Sequence, residues 1–215
     1  MRLAVLISGA GSNMVAIARA CRAGQIPAEI AVVIADRPDA GGILRARELG
    51  LHVALVDRGR FRHEGRLDRV AFEAALEEPL RQHQAELLIL AGFMSVLSAQ
   101  FVARHAGRIL NIHPSLLPLY PGLDTHARAL AAGERLHGAS VHFVTAELDG
   151  GPLILQSRVP VLPEDDVGSL SARVHAQEHI IYPMTISWLA SRRLQWNGGS
   201  PTLDGLPLEA PVQHG

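Results

Sequence analysis

Arg2-Leu3-Ala4-Val5-Leu6-Ile7-Ser8-Gly9-Ala10-Gly11-Ser12-Asn13 is a nearly unbroken apolar run that ends in a glycine-rich turn. From Met14 to Ala23 the pattern becomes helical, with Ile17 and Cys21 four apart. An apolar run without polar alternation predicts a strand buried on both faces. A strand, a glycine turn and a helix place backbone N–H groups where an anion can rest on the helix N-terminus. Ser12 or Asn13 would cap that helix or reach a phosphate through its side chain. The same residues also suit an ordinary tight turn with an N-cap and no ligand, and the pattern alone leaves both readings open. It is not the dinucleotide fingerprint, because Met14 stands where a third glycine belongs. That argues against NAD and for a smaller phosphate ligand.

The strand–helix unit recurs down the chain. Apolar runs at 30–35, 52–56 and 86–91 read as strands, and 42–49 and 69–83 read as helices, the second disturbed near its end by Pro79. Residues 57–66 read as an exposed loop, and Ser98 caps a short helix to about His105. Four such alternations before residue 109 predict an α/β fold with a mostly parallel, Rossmann-like doubly wound sheet. Strands at 138–144 and 153–161 add a C-terminal antiparallel extension. A long C-terminal helix over 168–193 carries Leu170, Val174, Ile181, Met184 and Trp188 at helical spacing, with a kink at Pro183. One domain over 1–195 is expected, and 196–215, rich in Gly and Pro, reads as a loosely attached C-terminal tail.

Bulk composition removes several function classes. At 215 residues and 48% hydrophobic the chain fills one globular core. A formal charge of −1 and a pI near 6.8 give no sign of a nucleic-acid binder or of attraction to an anionic membrane. The apolar runs are too short to span a bilayer, and the N-terminus lacks the layout of a signal peptide, so a cytoplasmic location is the default. Cys21 is the only cysteine, which excludes intrachain disulfides and paired-cysteine metal motifs. All 20 Lys+Arg residues are arginine. A Walker-A loop and a Schiff-base lysine are therefore impossible. No Gly-x-Ser-x-Gly elbow is present. His175 and His179 are spaced to bind zinc, but a solvated helix face explains them as well, and no metal is expected.

The chemistry concentrates at Ile109-Leu110-Asn111-Ile112-His113-Pro114. Alternation puts Asn111 and His113 on one face of a strand, and Pro114 stops the regular continuation. The pair reads either as a reacting site or as a hydrogen-bonded strand terminus. In such sheets ligands sit beyond the carboxyl ends of the strands. The turn after the first strand, Gly92–Leu97 and Asn111–His113 all lie at such ends. Asp149, in Glu147-Leu148-Asp149-Gly150-Gly151-Pro152, would charge an imidazole beside it or simply form a turn. An amide and an imidazolium stabilise an oxyanion on a carbonyl. Without a serine or cysteine nucleophile, the fitting reaction is direct transfer of an activated acyl group to an amine.

Several stretches then fall into a known order and spacing: Gly9–Asn13, Leu90-Ala91-Gly92-Phe93-Met94, Asn111–Pro118, Tyr120-Pro121-Gly122-Leu123, His137–Val144, Glu147–Pro152, Gln177-Glu178-His179 and Tyr182-Pro183. Over about residues 1–195 the chain resembles the glycinamide ribonucleotide formyltransferases of purine biosynthesis. The resemblance implies that Asn111 and His113 polarise the formyl carbonyl of 10-formyltetrahydrofolate, while Asp149 positions and charges His113. It implies that Gly11, Ser12 and Asn13 hold the phosphate, with Glu178 on the sugar hydroxyls or the glycinamide end. Arg69 and Met94, Ser95, Val96 and Leu97 would line the folate site together with Asn111. Ser95 stands where the family usually has arginine, Asp124 where a histidine is common and Leu119 where a lysine is. His175 replaces a Gln or Lys near the phosphate, which would make phosphate affinity depend on pH. Relatives with the same triad add a tRNA-binding C-terminal domain or an N-terminal regulatory domain, for neither of which the chain is expected to have room. Small-molecule substrates are the expected partners, with no nucleic acid and no membrane, and either a monomer or a homodimer is compatible.

Overall fold

The computed structural model describes all 215 residues. The strands are β1 (Arg2–Ile7), β2 (Glu29–Ala35), β3 (Val53–Leu55), β4 (Arg62–His63), β5 (Arg66–Leu67), β6 (Leu87–Leu90) and β7 (Ile109–His113), followed by β8 (Leu136–Phe143), β9 (Leu153–Pro160), β10 (Leu194–Asn197), β11 (Ser200–Leu203), β12 (Leu206–Pro207) and β13 (Val212–His214). The helices are α1 (Ser12–Arg22), α2 (Gly42–Glu48), α3 (Arg69–Gln82), α4 (Ala99–Arg104), α5 (Thr125–Ala131) and α6 (Val167–Ala190).

Eight strands form one sheet in the order β13-β9-β8-β7-β6-β1-β2-β3. Pairing is parallel from β3 through β2, β1 and β6 to β7, then antiparallel from β7 to β8 and from β8 to β9. The expected α/β class and its antiparallel extension are both present. Only β8 runs against the rest, because β13 pairs parallel with β9. Alternate side chains feed two cores. Leu3, Val5 and Ile7 join the cluster shared with α1 and α6, while Ala4 and Leu6 join the one under α3 and α4. That two-sided burial explains why β1 shows no polar alternation. α6 continues through Pro183 to Ala190. No helix is long and apolar enough to cross a membrane.

Two local expectations need correction. Residues 57–66 are not all loop: they hold a short 3-10 turn at Arg58–Phe61 and the β4–β5 hairpin. Residues 196–215 do not hang loosely. β10, β11 and β12 form an antiparallel meander, and β13 extends the main sheet. Trp196 lies against Phe143 with ring centroids 4.8 Å apart, and Leu194 is buried. Gly198, Gly199 and Gly205 make the tight turns, while Pro201 and Pro207 lie within strands of only two to four residues. Trp196→Ala removes that packing and is expected to cost about 2 kcal/mol, lowering Tm by roughly 4–8 °C for a chain of this size. An unchanged Tm in thermal melts would show that the meander contributes nothing to the core.

Candidate active site

The C-terminal end of β7 lies between a parallel neighbour and an antiparallel one. β6 sets Leu90 beside Asn111, and β8 sets His142 opposite Asn111 and Ser140 opposite His113. Cross-strand partners share a face, so Asn111, His113, Ser140 and His142 all project to one side. Tyr182, buried on α6, donates its hydroxyl toward the carbonyls of Leu90 and Leu110, each at 3.0 Å. That ties the two strand ends to the long helix.

Asp149 arrives from the β8–β9 loop with φ of 51°. The loop can lie close against β8 because Gly151 has no side chain; a Cβ there would meet the Phe143 carbonyl oxygen at 1.8 Å. The carboxylate accepts the Gly122 amide at 2.9 Å and faces two imidazoles, His113 Nδ1 at 3.5 Å and His142 Nε2 at 3.8 Å. His113 Nε2 donates to the Tyr120 carbonyl at 2.9 Å. Both nitrogens of that ring face acceptors, the Tyr120 carbonyl within hydrogen-bond distance and the Asp149 carboxylate slightly beyond it. His142 has the opposite character. Burial holds its titration below the ordinary histidine value, outweighing the pull of Asp149. Its Nδ1 donates to the Phe143 carbonyl at 2.9 Å, which leaves Nε2 to accept from Asn111 Nδ2 at 3.2 Å. The Asn111 amide is thereby oriented with its second N–H free.

Behind His113, Ser140 donates to the Ser115 carbonyl at 2.7 Å and accepts from the Leu117 amide at 3.0 Å. Gln156 reaches the Leu117 carbonyl at 2.8 Å. The segment after Pro114 is thus held by side chains as well as by its prolines. His126 Nδ1 and His137 Nε2 lie 3.1 Å apart beneath it. Burial, and then the neighbouring His137, pull His126 down to about 4, and burial lowers His137 as well.

The phosphate-sized turn lies at the start of α1. Its N-cap is Gly11, in the left-handed region with φ of 74°, and no side chain caps the helix. Neither Ser12 nor Asn13 is the cap. A Cβ on Gly11 would also approach Gly42 to 2.9 Å, so glycine is required twice over. Asn13 instead donates to Glu178 Oε2 at 2.8 Å, while its own Oδ1 is buried without a partner. Burial raises the Glu178 carboxyl, and the Asn13 bond opposes that rise. His175 is exposed one turn earlier on α6.

The stretch 94–97 is divided in its orientation. Met94 and Val96 are exposed, while Ser95 turns inward and donates to the buried Asp36 at 2.7 Å. Arg58 Nη1 lies 3.6 Å from the same carboxylate. The Met94 amide donates to Ser8 Oγ at 2.8 Å. Arg69, exposed in the first turn of α3, makes no hydrogen bond or ion pair with this stretch. No group of three or more His, Cys, Asp or Glu is placed to hold a metal ion.

The structure therefore brings Asn111, His113 and Asp149 together, and Asn13 with Glu178. It also adds contacts that sequence reasoning did not assign: His142, the Tyr120 carbonyl and the Gly122 amide. The only sequence signal for His142 was its place two residues beyond Ser140 on a strand, and strand register was not readable.

A family model described as formyl transferase matches residues 1–186. The chain is 46% identical over 208 residues to a phosphoribosylglycinamide formyltransferase of Escherichia coli, covering 97% of this chain and 96% of that protein. It is 44% identical to a protein of the same name from Haemophilus influenzae, covering 96% and 95%. The solved phosphoribosylglycinamide formyltransferase of Coxiella burnetii superposes with a TM-score of 0.93 at 44% identity, covering 100% of this chain and 99% of that one.

The His126–His137 pair makes stability depend on pH. In the unfolded chain His126 takes up its proton near 6.5, whereas in the fold it resists until about 4. The unfolded state binds more protons throughout that interval, so stability falls as pH drops from 6.5 to 4 and is flat above it. Melts across this range should show that slope, and His126→Gln should reduce it, the remainder coming from the other buried histidines such as His137 and His142; an unaltered slope would assign the whole effect to those groups.

Proposed function

The chain belongs to the formyl transferase family, and from that membership we propose that it transfers the formyl group of 10-formyltetrahydrofolate to the amine of glycinamide ribonucleotide, a step of purine biosynthesis. The observation that carries this reading is the meeting of Asn111, His113 and Asp149 at one sheet rim, in a chain aligned along nearly its whole length with enzymes of that name.

The ribonucleotide end suits the turn at α1. The uncapped helix start offers backbone N–H groups and the positive end of a helix dipole to a phosphate. The unpartnered Asn13 Oδ1 and the Glu178 carboxyl are acceptors for sugar hydroxyls or the glycinamide end. His175 adds a cation on the phosphate side when it is protonated. The folate end is assigned to Met94, Ser95, Val96, Leu97, Asn111 and Arg69. The exposed Met94 and Val96 offer apolar contact for the ring system, whereas Ser95, bonded to Asp36, provides no outward charge.

At the reacting carbon the amine nitrogen forms a bond to the formyl carbon, and the bond from that carbon to the folate nitrogen breaks. Negative charge develops on the formyl oxygen, where the free Asn111 N–H and the His113 cation stabilise it. Asp149 keeps His113 oriented and charged. The proton lost by the amine passes through Asp149 and His113, directly or through water, to the departing folate nitrogen. The neutral His142 holds Asn111 in its donor orientation without adding a competing charge.

A steady-state assay with both substrates tests the assignment: formyl transfer to the ribonucleotide is expected, and hydrolysis of the folate alone would refute it. His113→Ala should lower kcat by at least about 10³-fold while binding of a phosphate ligand, followed by calorimetry, survives. Retained turnover would remove His113 from its role. For His175, replacement by alanine (His175→Ala) should raise the KM for ribonucleotide and leave kcat nearly unchanged, as expected for loss of a ground-state contact. An unchanged KM in steady-state kinetics would show that His175 does not contact the phosphate.

A further inference from the structure

The segment from Leu119 to Asp124 does more than connect β7 to α5. Its Tyr120 carbonyl holds His113 Nε2, and its Gly122 amide holds Asp149 Oδ2. These two contacts sit in a backbone that visits the left-handed region three times, at Tyr120 (55°), Gly122 (78°) and Asp124 (57°). For residues other than glycine that region is disfavoured by roughly 1–2 kcal/mol each. The segment's own preferences therefore oppose the conformation that places the two contacts, and something outside it must impose that shape.

Arg128, one turn into α5, reaches back to do this. Its Nη1 donates to the Pro121 carbonyl at 2.6 Å and to the Leu123 carbonyl at 3.3 Å, and its guanidinium carbon lies 5.2 Å from the centroid of the Tyr120 ring. The three residues touched bracket Gly122 on both sides. The Tyr120 ring is fixed at its far end as well, where its hydroxyl donates to Glu134 at 2.7 Å. Ser115 Oγ closes the start of the segment by donating to the Leu119 carbonyl at 2.6 Å. The guanidinium touches neither His113 nor Asp149, so any effect on catalysis must pass through the backbone of residues 120–123.

We infer that Arg128 is a positioning residue for the transfer reaction: by clamping the carbonyls of Pro121 and Leu123 over the Tyr120 ring, it sets the Tyr120 carbonyl and Gly122 amide that aim His113 and Asp149. The inference rests on the catalytic reading of His113 and Asp149 given above. A long cationic side chain suits the task, because the one nitrogen Nη1 reaches carbonyls on both sides of the turn while the charge lies over the ring between them.

The test compares Arg128→Met, which keeps a long apolar stem but no donor, with Arg128→Lys, which restores a cationic donor. Arg128→Met should lower kcat about five- to tenfold, the scale of losing charge-assisted hydrogen bonds at a surface. KM for both substrates should stay within about twofold, because the clamp serves groups that act in the transition state. Tm should shift by no more than about 2 °C, and Arg128→Lys should recover kcat to within about threefold of wild type, because both bonds come from a single charged nitrogen that an ammonium replaces. Unchanged kcat in Arg128→Met, a rise in KM alone, a kcat loss matched by a large fall in Tm, or no recovery in Arg128→Lys would each overturn the inference. His113→Ala run alongside separates the two levels. If it stays active the catalytic reading itself fails, whereas an inactive His113→Ala with an unaffected Arg128→Met defeats the clamp alone.

Discussion

The site depends on the change of strand direction at β7. Because β6 runs parallel to it and β8 antiparallel, one five-residue strand receives partners from two different parts of the chain. The antiparallel register places His142 against Asn111 and Ser140 against His113, and the β8–β9 connection returns Asp149 to the same end. An all-parallel continuation would have sent the next strand's polar residues to the same rim only through another crossover helix. Reversing one strand sets Ser140 and His142 beside β7, and the β8–β9 loop then returns Asp149 to the same end.

Electrostatics then divides the two imidazoles that flank Asp149. His142 sits in the sheet interior, where desolvation disfavours its charged form, and it works as an acceptor for Asn111. His113 meets a carbonyl and a carboxylate, both acceptors. One carboxylate thus faces a desolvated ring on one side and, on the other, a ring whose two nitrogens both meet acceptors. The half-buried His126, the buried His137 and Ser140 support the segment that carries Tyr120, so that the geometry is fixed from beneath as well as from the surface.

At the opposite end of the site the logic is that of unsatisfied groups. An α-helix that starts at a left-handed glycine without a side-chain cap leaves its first N–H groups available. The adjacent Asn13 spends its donor on Glu178 and keeps a buried acceptor open. Buried polar groups are rarely left unpaired unless something else completes them. Ser95 shows the contrary case: its hydroxyl is consumed by Asp36, so its neighbours Met94 and Val96, rather than Ser95 itself, face outward.

Periodicity alone determined the strand–helix alternation, the two-sided burial of β1, β2 and β6, the face shared by Asn111 and His113, and the glycine turn. Each of these is local, written in residues a few positions apart. The absence of lysine and of paired cysteines excluded whole mechanisms without any structure. The order of residues 196–215 is not legible in the sequence because its strands are only two to four residues long and are held by Phe143 and β9, both distant in sequence. The helix cap was misplaced because Gly11 is fixed by its packing against Gly42, not by side-chain chemistry. Which imidazole would be neutral, which amide would hold Asp149, and that Arg128 would reach back over Tyr120 were matters of strand register and burial. Those are pairwise relations between segments far apart in the chain, and they acquire values only when the sheet is assembled.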